Sequence, residues 1–269
     1  MEFEEKQHDG LYEVSEVEFH NQNQIFRGIL YFPPEPFQKP YSLIIFFHGF
    51  PQLNPLKEIV KQYQFLLDLG YAFLVFNFRG YNFNQGKVSI VSQVSDSMKV
   101  IEFVYLMSKS NVFKINNINI IAHDFGAYIA LILISKINLI NRLLLLCPII
   151  DLERHLNHID FSKSLYYINR FLPGHVKGIE NVAGFIEMTK KELKNTEFQI
   201  IEVLSRLNFK KLRIIIGNLD KITPIEEVQN LVQKNVDNLD LIIIKNMSHD
   251  NFQEDSVVHV NKEIKNFFF

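Results

Sequence analysis

The chain has 269 residues, 47% of them hydrophobic, which is enough to bury a large core in one α/β domain with an insertion. With 28 basic and 30 acidic residues, a net charge of −2 and no basic run or stripe, the composition excludes the electrostatic footprint of a nucleic-acid binder. The single cysteine, Cys147 in "LLLLCPII", allows no intrachain disulfide and reads as a buried packing residue. The opening "MEFEEKQHDG" is acidic and polar, unlike a secretory or transit leader, so cytoplasmic residence is the expectation. The longest apolar region, 131–150, is interrupted by Lys136, Asn138, Asn141 and Arg142 and is too polar for a membrane span.

In chain order, short runs rich in Ile, Val, Leu and Phe alternate with amphipathic segments, the pattern of a mostly parallel sheet covered by helices. "YEVSEVEFH" and "FRGILYF", joined through the polar "NQNQ", predict an antiparallel hairpin. "SLIIFFHG" and "AFLVFNF" follow, separated by the helical pattern "LKEIVKQYQFLLDLG". After the helical "VSDSMKVIEFVYLMSK" come "INIIAHD" and "RLLLLCP", and near the end "LRIIIGN" and "LDLIIIKN", eight strands in all. Residues 151–209 are polar, helix-prone and without a clear strand. They predict an insertion between core segments 1–150 and 210–269, lying over the carboxyl ends of the strands where open α/β sheets bind ligands.

The stretch "INIIAHDFGAYIALIL" places Asp124 where a strand turns into a helix, with small residues Ala122 and Gly126 two positions away on either side. A reactive group on so sharp a turn crowds its neighbours at those positions. The spacing is that of a nucleophile elbow with Asp in the usual place of Ser. A nucleophile needs a base, and the base an orienting acid. Asp220 follows "RIIIGN" and His249 follows "LIIIKN", so each stands one loop past its own strand on the edge that carries Asp124. Taken singly, Asp220 could start a turn or cap a helix, and His249 could be a loop histidine. Asp250 is the alternative acid, ranked second because adjacent side chains point apart. "FFHGFPQ" offers the Phe50 amide, and the helix after the elbow the Phe125 amide, as donors to negative charge developing on a carboxyl oxygen. His48 in the same motif reads as a satisfied structural histidine.

Through "FFHGF", "FNFRGYNFNQG", "IAHDFGA", "GNLDKITP" and "MSHDNF" the chain resembles the α/β-hydrolase superfamily over nearly its whole length. The resemblance implies an eight-stranded, mostly parallel sheet with helices on both faces and a short helical cap at 151–209. Its His-Gly-x-Pro and aspartate elbow look like the epoxide hydrolase and haloalkane dehalogenase branch, whereas "NFRGYNFNQG" and the short cap look equally like serine esterases. Dehalogenases of this fold typically bind halide with a tryptophan beside the nucleophile. This chain has no tryptophan and carries Phe125 there. Epoxide hydrolases place cap tyrosines over the nucleophile, and "SLYYINRF" offers Tyr166 and Tyr167. A carboxylate attacking an acyl carbon would form a mixed anhydride, but attacking an epoxide carbon it forms an ordinary ester. Three readings follow: an Asp-nucleophile hydrolase acting on a small organic substrate, an acyl hydrolase with an unusual elbow Asp, and a binding scaffold that lost its serine. No cofactor is expected. His155 and His158 are three apart with acids nearby, but read as a solvated cap face rather than metal ligands.

Overall fold

The computed structural model describes residues 7–207, 211–233, 239–249 and 254–269. Its first part is β1 (Gln7–Asp9), β2 (Tyr12–Asn21), β3 (Gln24–Tyr31), β4 (Tyr41–Phe47), α1 (Leu56–Gln62), α2 (Gln64–Asp68), β5 (Tyr71–Phe76) and α3 (Ile90–Lys109). Then come β6 (Phe113–His123), α4 (Phe125–Ile134), β7 (Ile140–Leu146), α5 (Leu152–Asn157), α6 (Ile159–Phe171), α7 (Val182–Glu192) and α8 (Ile200–Ser205). The chain closes with β8 (Lys211–Gly217), α9 (Ile225–Val228), β9 (Asp240–Ile244) and α10 (Glu254–Phe268). The strands form one sheet in the order β1-β2-β3-β5-β4-β6-β7-β8-β9. From β5 to β9 every pairing is parallel, and β1, β2 and β3 run antiparallel at one edge.

The eight-strand expectation is corrected to nine among the described residues. The extra strand, "QHD", is polar and exposed, and is recruited by backbone pairing with β2 alone, so no apolar alternation marks it. The β2–β3 connection is a two-residue turn with Gln22 and Asn23 both at positive φ, the geometry that matches the twist of a hairpin. The helical pattern "LKEIVKQYQFLLDLG" is two helices, broken at Tyr63.

The parallel strands read as unbroken apolar runs because both faces of the sheet are covered. Leu43, Ile45 and Phe47 pack on the side of α3 and α4. Ile44 and Phe46 pack on the side of α1, α2 and α10. All ten residues of α4 are buried, which accounts for a helix apolar all round. Ser89 starts α3 with a capping box, its side chain accepting the Ser92 amide while Ser92 accepts the Ser89 amide.

One buried ion pair fixes the loop after β5. Arg79 donates from Nε to both carboxylate oxygens of Asp96 at 2.9 and 3.0 Å, and from its terminal nitrogen to Oδ1 at 2.5 Å. The Arg79 amide and the Asn21 side chain complete the shell of Asp96. Asp96→Ala would leave the Arg79 charge buried and unpaired, and removing one partner of such a pair costs about 3–5 kcal/mol. Denaturant unfolding of the variant is expected to show a loss on that scale.

Candidate active site

The sheet order brings the loops after β4, β6, β8 and β9 to one edge, and the three residues expected to act together meet there. Asp124 sits between β6 and α4 at φ 51° and ψ −122°, a strained conformation for a side-chain-bearing residue. Three backbone hydrogen bonds hold it: its amide donates to the Leu146 carbonyl, and its own carbonyl accepts from Ala127 and Ile149. The small neighbours have a measurable reason. A Cβ on Gly126 would collide with the His48 carbonyl, and one on Gly49 would stand 2.6 Å from Asp124 Oδ2.

His249 lies between two carboxylates. Its Nδ1 is 2.9 Å from Asp220 Oδ2 and its Nε2 is 3.1 Å from Asp124 Oδ1. The other oxygen of Asp220 accepts the Ile222 and Thr223 amides at 2.9 and 2.8 Å, so its loop turns around the carboxylate and aims it. Asp250, the alternative acid, lies outside the described residues. All three groups are buried, with 4–6% of each residue exposed, so their charges depend on one another. Burial pushes the Asp124 carboxyl up, but the His249 hydrogen bond and charge, helped by the Phe50 amide, outweigh it and hold the group below the usual range. Burial works against an imidazolium at His249, and the hydrogen bonds and charges of Asp124 and Asp220 override it, raising the ring to about 10.

The second oxygen of Asp124 accepts the Phe50 amide at 2.5 Å. That amide, expected to face an oxyanion, therefore holds a carboxylate oxygen in the resting site. Phe125 is the first residue of α4, so its amide has no acceptor within the helix. Phe50 is fixed through its ring, which stacks on Phe185 at 6.0 Å and packs against Phe161, Phe125 and Tyr81. His48 is structural as expected: Nδ1 donates to the Gly49 carbonyl, Nε2 accepts the Phe78 amide, and burial lowers the ring to about 4.

A cavity of about 560 Å³ opens over Asp124 and His249, walled on the far side by α5 and α6 through His155, Phe161 and Ser164. Tyr166 and Tyr167 do not line it. They are 61% and 60% exposed, on the opposite side of α6 from Phe161, Ser164, Leu165 and Ile168. The helical phase of those four residues, at spacings of three, four and seven, is the sequence signal that places the tyrosines away from the cavity. The reading of His155 as part of a solvated face is also corrected, because it borders the cavity and packs on Phe161 at 4.6 Å. His158 lies at the mouth, where its ring accepts the Asp160 amide and caps α6. No group of three or more His, Cys, Asp or Glu among the described residues could hold a metal. No described helix is long and apolar enough to cross a membrane.

Solved structures resemble the chain over nearly its full length. A puromycin-hydrolyzing peptidase of Mycobacterium tuberculosis matches with a TM-score of 0.72 and 14% identity, over 96% of this chain and 39% of that one, so this chain spans about two fifths of the peptidase. Est1E from Butyrivibrio proteoclasticus matches with a TM-score of 0.67 and 16% identity, over 94% and 96% of the two chains. The α/β hydrolase GrgF from Penicillium sp. sh18 matches with a TM-score of 0.68 and 16% identity, over 95% and 97%. At such identities the likeness is one of fold. No curated protein matches the sequence significantly. The family model of the alpha/beta hydrolase fold matches residues 42–179, just over half of the chain, and this protein belongs to that family.

Proposed function

We propose that the protein is a hydrolase of small organic substrates in which Asp124 attacks an electrophilic carbon, as in epoxide hydrolases, and His249 then activates water to cleave the resulting ester. The observation that carries this reading is the division of the Asp124 carboxylate, with Oδ2 on the Phe50 amide and Oδ1 on His249. Once an oxygen of Asp124 is bonded to carbon, the carbonyl that remains has an amide donor ready where a tetrahedral oxyanion would form. Residues 151–209 serve as the cap over this site in the proposal, and residues 1–150 with 210–269 as the core.

The charges support two distinct steps. In the resting site His249 is an imidazolium between two carboxylates and cannot act as a base. Esterification removes the charge of Asp124 and one of the two interactions that keep the ring protonated, so the base becomes available when the ester needs water. Asp220, held by two amides, orients the ring throughout. An acyl hydrolase reading would use the same amide, but it asks Asp124 to form an anhydride. A binding scaffold would have no chemical use for the aligned Asp220 and His249.

Single turnover of excess enzyme with an epoxide in heavy-oxygen water is expected to place the label in Asp124 and leave the first diol unlabelled. His249→Gln should slow the second step by about 10²–10⁴-fold and accumulate an ester on the peptide containing Asp124, read as a mass increase. Labelled product in the first turnover, with no adduct in the variant, would mean direct attack by water. Linkage gives a further expectation. A ring raised from 6.5 to about 10 adds stability that is complete below pH 6.5 and lost as pH rises through 10. The lowered carboxyl of Asp124 adds stability that is present above pH 3.8 and lost on acidification below it. The unfolding free energy of the wild type relative to His249→Gln should therefore be greatest between about pH 4 and 6.5 and decline on both sides. A difference that grows from pH 7 to 10 would contradict the charged resting state.

A further inference from the structure

The cavity over Asp124 has a polar group that the two proposed steps do not use. His155 stands on α5, and its ring borders both the main cavity and a small apolar recess lined by Phe50, Phe125, Leu156 and Phe185. Several other polar groups around the cavity are already engaged. Both nitrogens of His48 are engaged, Ser164 Oγ donates to the Phe161 carbonyl, and Gln52 Nε2 donates to the Asn54 carbonyl. Among the described residues, none hydrogen-bonds a ring nitrogen of His155.

The position of this ring is fixed by the loop that carries Asp220. Arg154 pairs with Glu227 at 2.5 Å and donates to the Ile222 carbonyl, and Glu227 in turn accepts the Asp151 amide at 3.1 Å. Leu152 and Leu156 are buried on the inner face of α5, and Phe161 packs on the imidazole itself. His155 and the Asp220–His249 pair are thus held on one framework.

We propose that His155 holds the leaving oxygen of the substrate, its ring N–H donating a hydrogen bond to the epoxide oxygen as Asp124 attacks the adjacent carbon. This rests on the Asp-nucleophile reading and deepens it by assigning to His155 the role that Tyr166 and Tyr167 are too exposed to fill. In the step, a bond forms between Asp124 and carbon, the carbon–oxygen bond of the ring opens, and its electron pair stays on the oxygen. The oxygen takes a proton through cavity water. In the wild type the His249 imidazolium replaces that proton as Asp124 loses its charge. Burial lowers His155 to about 4, so at neutral pH it is an uncharged imidazole that offers a donor without repelling the nearby imidazolium. The inferred substrate is an epoxide with its oxygen toward α5 and its carbon toward Asp124.

The test uses styrene oxide in the His249→Gln background, where the ester accumulates, with ester formation on Asp124 followed by quenched mass spectrometry. His155→Phe keeps a ring to pack on Phe161 but removes the donor. Loss of one such donor is expected to slow ester formation by about 10²–10³-fold. His155→Gln restores an N–H without a ring and should recover at least about tenfold of the loss, which a purely structural role for the imidazole would not produce. The deficit of the Phe variant should shrink for epichlorohydrin, whose electron-withdrawing substituent makes the departing oxygen less basic. A slowing of less than about tenfold in His155→Phe, or a Gln variant no faster than the Phe variant, would overturn the assignment while leaving the Asp124 mechanism standing. Absence of any epoxide adduct with His155 intact would instead overturn the Asp-nucleophile reading, and this assignment with it.

Discussion

A carboxylate buried at the carboxyl edge of a sheet is tolerable only if its charge is answered at close range, and Asp124 is answered twice. One oxygen faces the imidazole of His249 and the other the amide of Phe50. An ion of this kind left unpaired in the interior costs several kcal/mol, so each answering group must be held where it stands. Much of the surrounding structure does that holding. Gly49 is small because the carboxylate lies against it, and Gly126 because the His48 carbonyl does. Asp220 fixes the imidazole from behind, and two amides fix Asp220.

The sheet supplies the convergence. Parallel strands end at the same edge, so residues far apart in sequence, such as Asp124 and His249, meet without any strand bending toward the other. The Phe50 amide needs a separate support because it lies on a loop. Its ring is held between Phe185 of α7 and Phe161 of α6 on one side and Phe125 and Tyr81 on the other. Helices α6 and α7 thereby do more than wall the cavity. Their aromatic side chains help set the backbone donor that meets Asp124, so these helices and the site are mechanically one unit.

The parts of this arrangement that were legible in the sequence share a physical origin. Strands buried on both faces must be apolar throughout, which makes them stand out, and the residue just past each one falls at the ligand-binding edge. Asp124, Asp220 and His249 could be located on that ground, and Ala122 and Gly126 marked the turn through steric need. Strand β1 was invisible because backbone pairing alone recruits it. Tyr166 and Tyr167 fit a cap role by residue type but not by helical phase: Phe161, Leu165 and Ile168 define the inner face of α6, and the adjacent tyrosines fall outside it. His155 was missed for a different reason. With Asp151, Glu153, Arg154 and Asp160 near it in sequence, it reads as one more polar residue on a wet helix, and only the seating of α5 against the Asp220 loop turns its ring inward.

The same charges bear on the role proposed for the aspartate at the elbow. A carboxylate beside the pair formed by a histidine and its acid adds a negative charge that the buried site must answer at close range. The Asp124 charge is met on both oxygens, and the histidine it meets is raised by the two carboxylates together. A serine hydroxyl would need a neutral histidine before it could attack. The carboxylate of the proposed mechanism needs none, and a charged histidine would not bring in water early. In the proposed mechanism the electrostatics order the events: attack on carbon would remove the charge that keeps the base protonated, so that water would be activated only after there is an ester to cleave.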